Sequence, residues 1–242
     1  MKFMHQVIYP ETASTWKGLY KITGVALLSL LASYPFQIIV FMISRPPTTV
    51  LGWFTLIQTN RLTGLSFDIL FLAQNLPFLL VLLALYVALR RVNESLMAIA
   101  ITLGLMGIVT LIVARPIFEL VSLSDQYTAA TTEAQRSMFL AAGQAILEIR
   151  SGTAFNVSYV IGAVAMILNC AVMLQSKIFS SATAYVGILA NVIGLGYYIP
   201  TIGIYVAIFS VLLLWIWYIL LAHRFFQLSR EPLERAAFSQ SG

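Results

Sequence analysis

The sequence predicts an all-α integral membrane protein, a bundle of six transmembrane helices with amphipathic helices in its outer loops. Two observations predict this class. Hydrophobic residues make up 60% of the 242 residues and charged residues only 10%, whereas soluble domains usually contain about a quarter charged residues. Apolar stretches of about 20 residues, the length that crosses a bilayer as a helix, also recur along the chain. We therefore exclude a soluble enzyme, a disordered chain and a fibrous repeat.

Turn residues and charges divide the chain into six predicted spans within a single domain, residues 1–242. The first span ends before Pro46 and Pro47, and the third ends before Pro116, because proline cannot continue a helix. Pro200 and Gly203 separate the last two spans, which we expect to form a tight antiparallel hairpin. The predicted spans are residues 18–44, 66–89, 95–114, 153–174, 183–199 and 204–222.

Two connections on the outer side, residues 45–65 and 115–152, are too long to be simple turns. The apolar middle of the first is too short to cross a bilayer, which indicates an interfacial or re-entrant helix. In the second, Thr132 and Gln135 fit a capping box. Apolar residues then recur at helical spacing, which predicts an amphipathic helix that either lies flat on the leaflet or bundle or covers an outward-opening cavity. These apolar residues are Phe139, Ala142, Ile146 and Ile149.

The distribution of basic residues predicts the orientation, because Lys and Arg are concentrated in cytoplasmic loops. Six spans place both termini on one face, which carries nine of the 14 basic residues and a net charge of +5, whereas the opposite face is neutral. We therefore expect a multi-pass protein of the cell (cytoplasmic) membrane with both termini in the cytoplasm. The basic excess is then a property of topology, and nucleic acid is not an expected partner.

The residue inventory argues against several kinds of membrane enzyme. The two histidines, His5 and His223, lie at the cytoplasmic margin, so neither haem ligation within a span nor HExxH zinc chemistry is available. Cys170 is the single cysteine, which excludes thiolate metal clusters. No span carries two acidic residues, and the chain lacks a nucleotide-binding P-loop motif. We expect no metal, no cofactor and no catalytic residue.

Polar residues at membrane depth are concentrated in the outer halves of the spans, where burial is costly without a partner. Arg115 could pair with Glu119 one turn away or with Asp68. One interpretation is that the amides cross-link helices while Arg115 reaches the headgroups. The other is an outward-facing binding pocket, which Pro35 and Pro77 could open by bending the first two spans. The candidate ligand-binding residues are Asp68, Gln74, Asn75, Arg115, Glu119, Asn156 and Tyr197.

Four segments carry a family resemblance: RRVNESL, SDQYTAATTEAQR, GTAFNVSYVIGA and SKIFSSATAYVGILANVIGLG. With them, the region from about Leu82 to Leu228 resembles domain-of-unknown-function family 4386, a group of bacterial and archaeal membrane proteins. The resemblance implies a compact polytopic protein. It implies no activity and no catalytic residue.

Three functions fit the sequence. The first is a non-enzymatic protein whose outer half binds a membrane lipid, a small amphiphilic molecule or a membrane partner. The second is a small-solute transporter or channel, which predicts polar residues continuing to the cytoplasmic face. The third is a lipid-modifying enzyme with Asp68, Arg115 and Glu119 as acid, electrophile and base. The sequence favours the first.

Overall fold

The computed structural model describes residues 16–230, and every regular element in this range is helical. Five helical segments are long and apolar enough to cross a membrane, and this indicates a membrane protein. The elements are α1 (Lys17–Ile43), α2 (Val50–Thr59), α3 (Arg61–Leu89), α4 (Glu94–Val113), α5 (Ile117–Ala129), α6 (Glu133–Ser151), α7 (Thr153–Gln175), α8 (Ser181–Leu195), a 3-10 turn (Gly196–Tyr198) and α9 (Gly203–Arg230).

Side-chain caps define where five of these helices begin. A short polar side chain accepts a hydrogen bond from a backbone N–H of the first turn, which has no partner within the helix. The capping residues are Thr49 for α2, Asn60 for α3, Asn93 for α4, Thr132 for α6 and Ser180 for α8. At α6 the predicted capping box is confirmed, since the Gln135 side chain also accepts from the backbone N–H of Thr132.

Six helices form a closed ring in the order α1, α3, α4, α7, α8, α9, because each packs against the next and α9 packs against α1. They correspond to the six predicted apolar stretches. Tyr20 stacks on Phe225, with ring centroids 5.9 Å apart, so the start of α1 and the end of α9 lie together. We call this the terminal end of the ring.

The remaining helices, α2, α5 and α6, pack on one another at the opposite end, which we call the capped end. They form the cap layer. It is built from the two long connections, which follow α1 and α4, and both of these helices finish at the capped end. The arrangement therefore places both connections on the same face.

Two separate apolar cores hold the structure together. The first fills the terminal half of the ring, and its fully buried members include Leu85, Leu89, Met97, Met173 and Phe225. The second joins the cap layer to the start of α3, and its members are Val50, Trp53, Phe54, Ile57, Phe67, Ile117, Leu120 and Val121.

The observed helices differ from the predicted spans in two places. α9 continues past His223 to Arg230, whereas we expected the last span to end at residue 222. No proline or glycine follows until beyond Arg230, so the basic residues mark a change of polarity and not the end of the helix. α5 was not predicted as a helix. Its buried residues recur at helical spacing, at Ile117, Leu120, Val121 and Ser124, but polar residues interrupt the apolar run.

Candidate functional site

A cavity of about 370 Å³ lies inside the ring, between the two apolar cores. All six ring helices contribute to its wall. Residues from α1, α3 and α4 form one side and residues from α7, α8 and α9 the other. Its volume falls at the small end of the range of about 300–1,000 Å³ that small-molecule sites occupy. The lining is mostly apolar, with a few polar side chains.

Glycines form part of the cavity wall, and one of them leaves space where a side chain would lie. Gly104, Gly107, Gly162 and Gly194 all line the cavity. At Gly162 an added Cβ would meet no atom within 4 Å, so its surroundings are open.

Two prolines lie at the same level as the cavity. Pro35 is inside α1 next to the lining residue Tyr34, and Pro77 is inside α3 next to the lining residue Phe78. Proline removes one backbone hydrogen bond and crowds the preceding turn. The two prolines that the sequence suggested could open a pocket therefore both lie at its wall.

Most polar groups of the lining are satisfied within the protein. Asn75 donates to the carbonyl of Phe71 at 2.7 Å, and Asn191 donates to the carbonyl of Gly187 at 2.8 Å. Gln74 differs, because its Nε2 is buried without a hydrogen-bond partner among the described residues, although its side chain is only 7% exposed. A buried donor without a partner costs about 1–3 kcal/mol. This amide is therefore a group that a bound molecule could satisfy.

The indole Nε1 of Trp217 also lacks a partner among residues 16–230, but its environment is different. A Cβ added to Gly187 would lie 2.5 Å from this nitrogen, so the indole nitrogen packs against α8. We do not count it as a ligand-binding group. The ring of Trp217 nevertheless forms part of the cavity wall.

A charged cluster lies beside the cavity at the capped end, formed by Asp68, Arg115 and Arg150, and we call it the Asp68 cluster. The Asp68 side chain is 1% exposed, and both of its oxygens accept from Arg150, at 2.5 and 2.7 Å. This is the bidentate geometry that makes arginine–carboxylate pairs strong. The Arg150 guanidinium also lies over the Trp53 ring, with Cζ 4.6 Å from the centroid. The cluster therefore ties α6 and α2 of the cap layer to α3.

Arg115 is the third member, at the junction of α4 and α5. Its Nη1 lies 4.0 Å from Asp68 Oδ1, which is an ion pair but is too long for a hydrogen bond. Its Cζ lies 3.9 Å from the centroid of the Phe71 ring and 5.6 Å from that of Phe155, and both rings line the cavity. The Nε of Arg115 is buried without a hydrogen-bond partner among the described residues. This guanidinium therefore lies directly behind the cavity wall with unused donor capacity.

An aromatic group adjoins the cavity on the α7 side, where Tyr159 is part of the wall. The rings of Tyr159, Tyr197 and Tyr198 lie within 6.0 Å of one another, centroid to centroid. The Tyr159 hydroxyl donates to the carbonyl of Gly194 at 2.9 Å, which joins α7 to α8. Tyr198 donates to the carbonyl of Asn156 at 3.3 Å. These contacts fix the turn between α8 and α9 against the start of α7.

The structure places the predicted site residues in four settings. Gln74 and Asn75 line the cavity, and Asp68 and Arg115 belong to the Asp68 cluster. Tyr197 belongs to the aromatic group. Asn156 lies next to it, and its side-chain amide donates to two carbonyls of its own chain segment. Glu119 is exposed on α5. Arg115 is paired with Asp68, which was the second of the two partners considered from the sequence.

Sequence reasoning missed Arg150 as a site residue. A signal was present, since Arg150 continues the positions of Gly143, Ile146 and Leu147 on the face of α6 that packs inward. An arginine on that face needs a buried acidic partner. Within residues 16–230, no group of three His, Cys, Asp or Glu side chains has the arrangement of a metal site.

The chain was compared with protein-family models, with curated proteins and with solved structures, and none of them matches it. The resemblance to domain-of-unknown-function family 4386 stays a prediction.

Proposed function

We propose that this is a non-enzymatic membrane protein that binds a lipid-like or small amphiphilic molecule in the cavity of the ring. The observation that carries the proposal is the cavity itself: a mostly apolar space beside the buried amide nitrogen of Gln74, which has no partner within residues 16–230. Sites for small ligands combine these two properties, an apolar wall and a few polar groups that orient the ligand.

The proposal includes six membrane crossings by the ring, with the cap layer as loop helices on the outer side. The closed ring supports it, because α8 occupies a place equivalent to the other five helices. α8 has 15 residues and continues into the 3-10 turn, and three of its side chains, Tyr185, Leu189 and Val192, are more than half exposed. Large exposed apolar side chains at one-turn intervals fit contact with lipid. The basic excess at the terminal end supports a cytoplasmic location for that end.

A transporter or channel receives less support. The terminal half of the ring is filled by apolar side chains with almost no exposure, including Leu89, Met97 and Phe225. The polar side chains buried in this half, such as Thr23 and Asn169, donate to backbone carbonyls and do not line the cavity. A lipid-modifying enzyme is also less well supported, because Asp68 is engaged with Arg150 through both oxygens and Glu119 is exposed. A binding site closed at one end fits the cavity best.

The proposal is tested by filling the cavity at Gly162. Leucine at this position should project into open space and displace a bound molecule. The matched control is Gly18→Leu, since Gly18 also has no atom within 4 Å of an added Cβ but lies at the start of α1, away from the cavity. Native mass spectrometry of purified protein counts the small amphiphiles that remain bound.

We expect the wild type and G18L to retain a small amphiphile and G162L to lose it by about tenfold or more, which corresponds to a loss of about 1.4 kcal/mol in binding. The thermal midpoint of G162L should not fall, because its side chain fills space. If G162L retained the same molecules as the wild type, or if the wild type retained none even after incubation with total membrane lipid, the proposal would be wrong.

A further inference from the structure

We infer that the ligand is an acidic amphiphile with a single chain, whose headgroup binds Arg115 and whose chain extends toward Leu82. This inference rests on the proposed function and adds the charge, the orientation and the number of chains. The acidic headgroup is a carboxylate or a phosphate.

The first step is the charge of the Asp68 cluster. It contains one carboxylate and two guanidinium groups, and arginine stays protonated in proteins. Asp68 uses both oxygens for Arg150, so Arg115 has only the longer ion pair at 4.0 Å and two aromatic faces. Glu119, the nearest acidic residue in sequence, is exposed and makes no ion pair with Arg115 within residues 16–230. The cluster therefore carries an uncompensated positive charge at a side chain that is only 14% exposed.

The second step is the order of residues along α3. Asp68, Phe71, Gln74, Phe78 and Leu82 follow one another at intervals of three or four residues, and the last four line the cavity. Residues at this spacing share one face of a helix. At 1.5 Å per residue, the distance from Asp68 to Leu82 is about 21 Å. Along this length the polar groups, the Asp68 carboxylate and the Gln74 amide, lie in the half nearer the capped end, with the Phe71 ring between them, and the half beyond Gln74 is apolar. This matches an amphiphile with its headgroup at the capped end.

The third step is the hydrogen-bonding capacity beside the cavity. Apart from the indole nitrogen of Trp217, which packs against α8, Arg115 Nε and Gln74 Nε2 are buried beside the cavity without partners among residues 16–230, and both are donors. A ligand that satisfies them must present acceptors, first at the headgroup and again one turn deeper. A carboxylate or phosphate has the acceptor oxygens for Arg115. An acceptor such as an ester or headgroup oxygen suits Gln74.

The fourth step is volume. The cavity of about 370 Å³ is at the small end of known ligand sites. A phospholipid with two chains needs much more space than one alkyl chain does. Because the terminal end of the cavity is closed by the apolar core, a second chain cannot extend further in that direction.

The experiment uses bromine as a quencher of tryptophan fluorescence. Trp217 lines the cavity, so a brominated chain in the cavity should quench it on contact. The full-length protein is reconstituted in nanodiscs of phosphatidylcholine and titrated with dibromostearic acid or with its methyl ester, which has the same chain and no charge. The difference in quenching between the wild type and W217F is the contribution of Trp217, and it reports binding in the cavity.

We expect saturable quenching by the acid at pH 8, with an apparent affinity at least about tenfold higher than that of the ester, because hydrogen bonds to charged groups are about twice as strong as neutral ones. R115Q should lower the affinity for the acid about tenfold and leave that for the ester unchanged. R61Q is the matched control: Arg61 is also an arginine of the capped end, but it is 55% exposed and pairs with Asp125 at 3.0 Å. It should change neither affinity.

The outcomes separate this inference from the proposed function. Equal affinities of the wild type for acid and ester would overturn the acidic headgroup while leaving a cavity that binds amphiphiles; this comparison does not depend on the folding of any variant. Absence of saturable Trp217 quenching by both probes would overturn the proposed function as well.

The headgroup is assigned by a third probe. A brominated lysophosphatidic acid that binds more tightly than the fatty acid would assign the headgroup as phosphate, and the reverse order would assign it as carboxylate. Displacement of the acid by millimolar inorganic phosphate would mean that Arg115 binds a free anion, and would overturn the assignment to an amphiphile.

Discussion

Asp68 and Asp125 each join the cap layer to α3 through an arginine, but their surroundings differ. The Asp68 side chain is 1% exposed and is held by both oxygens, whereas Asp125 and Arg61 are 45% and 55% exposed. Exposed pairs contribute about 0–1 kcal/mol because water and salt screen them. Removal of one partner from a buried pair costs far more, since an unpaired charge then remains in the interior.

We therefore expect Asp68→Asn to lower the free energy of unfolding by about 3–5 kcal/mol. Asp125→Asn, the matched control at the surface, should lower it by no more than about 1 kcal/mol. Unfolding by sodium dodecyl sulfate in mixed micelles, followed by circular dichroism, measures both. Similar losses for the two variants would contradict the view that burial makes the Asp68 pair the principal connection between cap layer and ring.

At the scale of elements, α6 depends on a close approach to α2. A Cβ added to Gly143 would lie 2.5 Å from Cγ1 of Val50 and 2.9 Å from Cζ of Phe54. Valine is stiff about χ1 and both neighbours are buried, so neither can easily move away. A larger residue at position 143 must push the two helices apart.

Gly143→Val should therefore destabilise the cap layer by about 1–3 kcal/mol, the usual cost of overpacking. The comparison variant is Ala141→Val, which introduces the same side chain on the exposed face of α6. Hydrogen exchange with mass spectrometry should show faster exchange in α2 and α6 for G143V. For A141V, exchange in these two helices should be unchanged. Exchange in α8 should be unchanged in both variants. Equal exchange in the two variants would show that the contact at Gly143 does not hold the layer.

The apolar stretches predicted the ring helices well, because a helix of about 20 apolar residues leaves a strong signal in the sequence. The capping box at Thr132 was equally clear. The inward face of α6 was not: we predicted Phe139, Ala142, Ile146 and Ile149, whereas Ile149 is 42% exposed and Gly143 is buried. The periodicity of apolar residues does not identify a buried glycine such as Gly143, which is buried because α2 packs closely against it.

The site was predictable only in part for a related reason. A polar residue within an apolar span can be recognised individually from its sequence neighbours, and on this basis we predicted Asp68, Gln74, Asn75 and Arg115. The partner of Asp68 is 82 residues away in sequence, in a segment that reads as a surface helix. The cavity depends on six helices at once, and no local pattern encodes such a space.

At the scale of the whole molecule, the proposed topology of six crossings predicts that the two long connections lie on one side of the membrane. Ser137, in the cap layer, and Ser95, at the start of α4, are exposed at opposite ends of the ring. Cys170, the single cysteine of the sequence, is fully buried and should give little background in thiol labelling.

In intact cells, a membrane-impermeant maleimide should label Ser137→Cys and should label Ser95→Cys only after the membrane is opened. This expectation follows from the neutral outer face and the basic terminal face. Cys170→Ala in both backgrounds checks that the native thiol does not contribute. Labelling of both introduced cysteines from outside would contradict the six crossings, and the reverse pattern would invert the orientation.

The glycines of the cavity wall suggest how sequence changes in evolution could alter the size of the cavity. An added Cβ meets nothing within 4 Å at Gly162 and only ordinary van der Waals neighbours at Gly194. Single changes to alanine at these two positions would shorten the room for an alkyl chain by roughly one methyl group each, without rearranging a helix. Proteins with the same architecture could therefore bind alkyl chains of different length by exchanging glycine for alanine at these positions. A set of such variants would measure the chain length of the natural ligand.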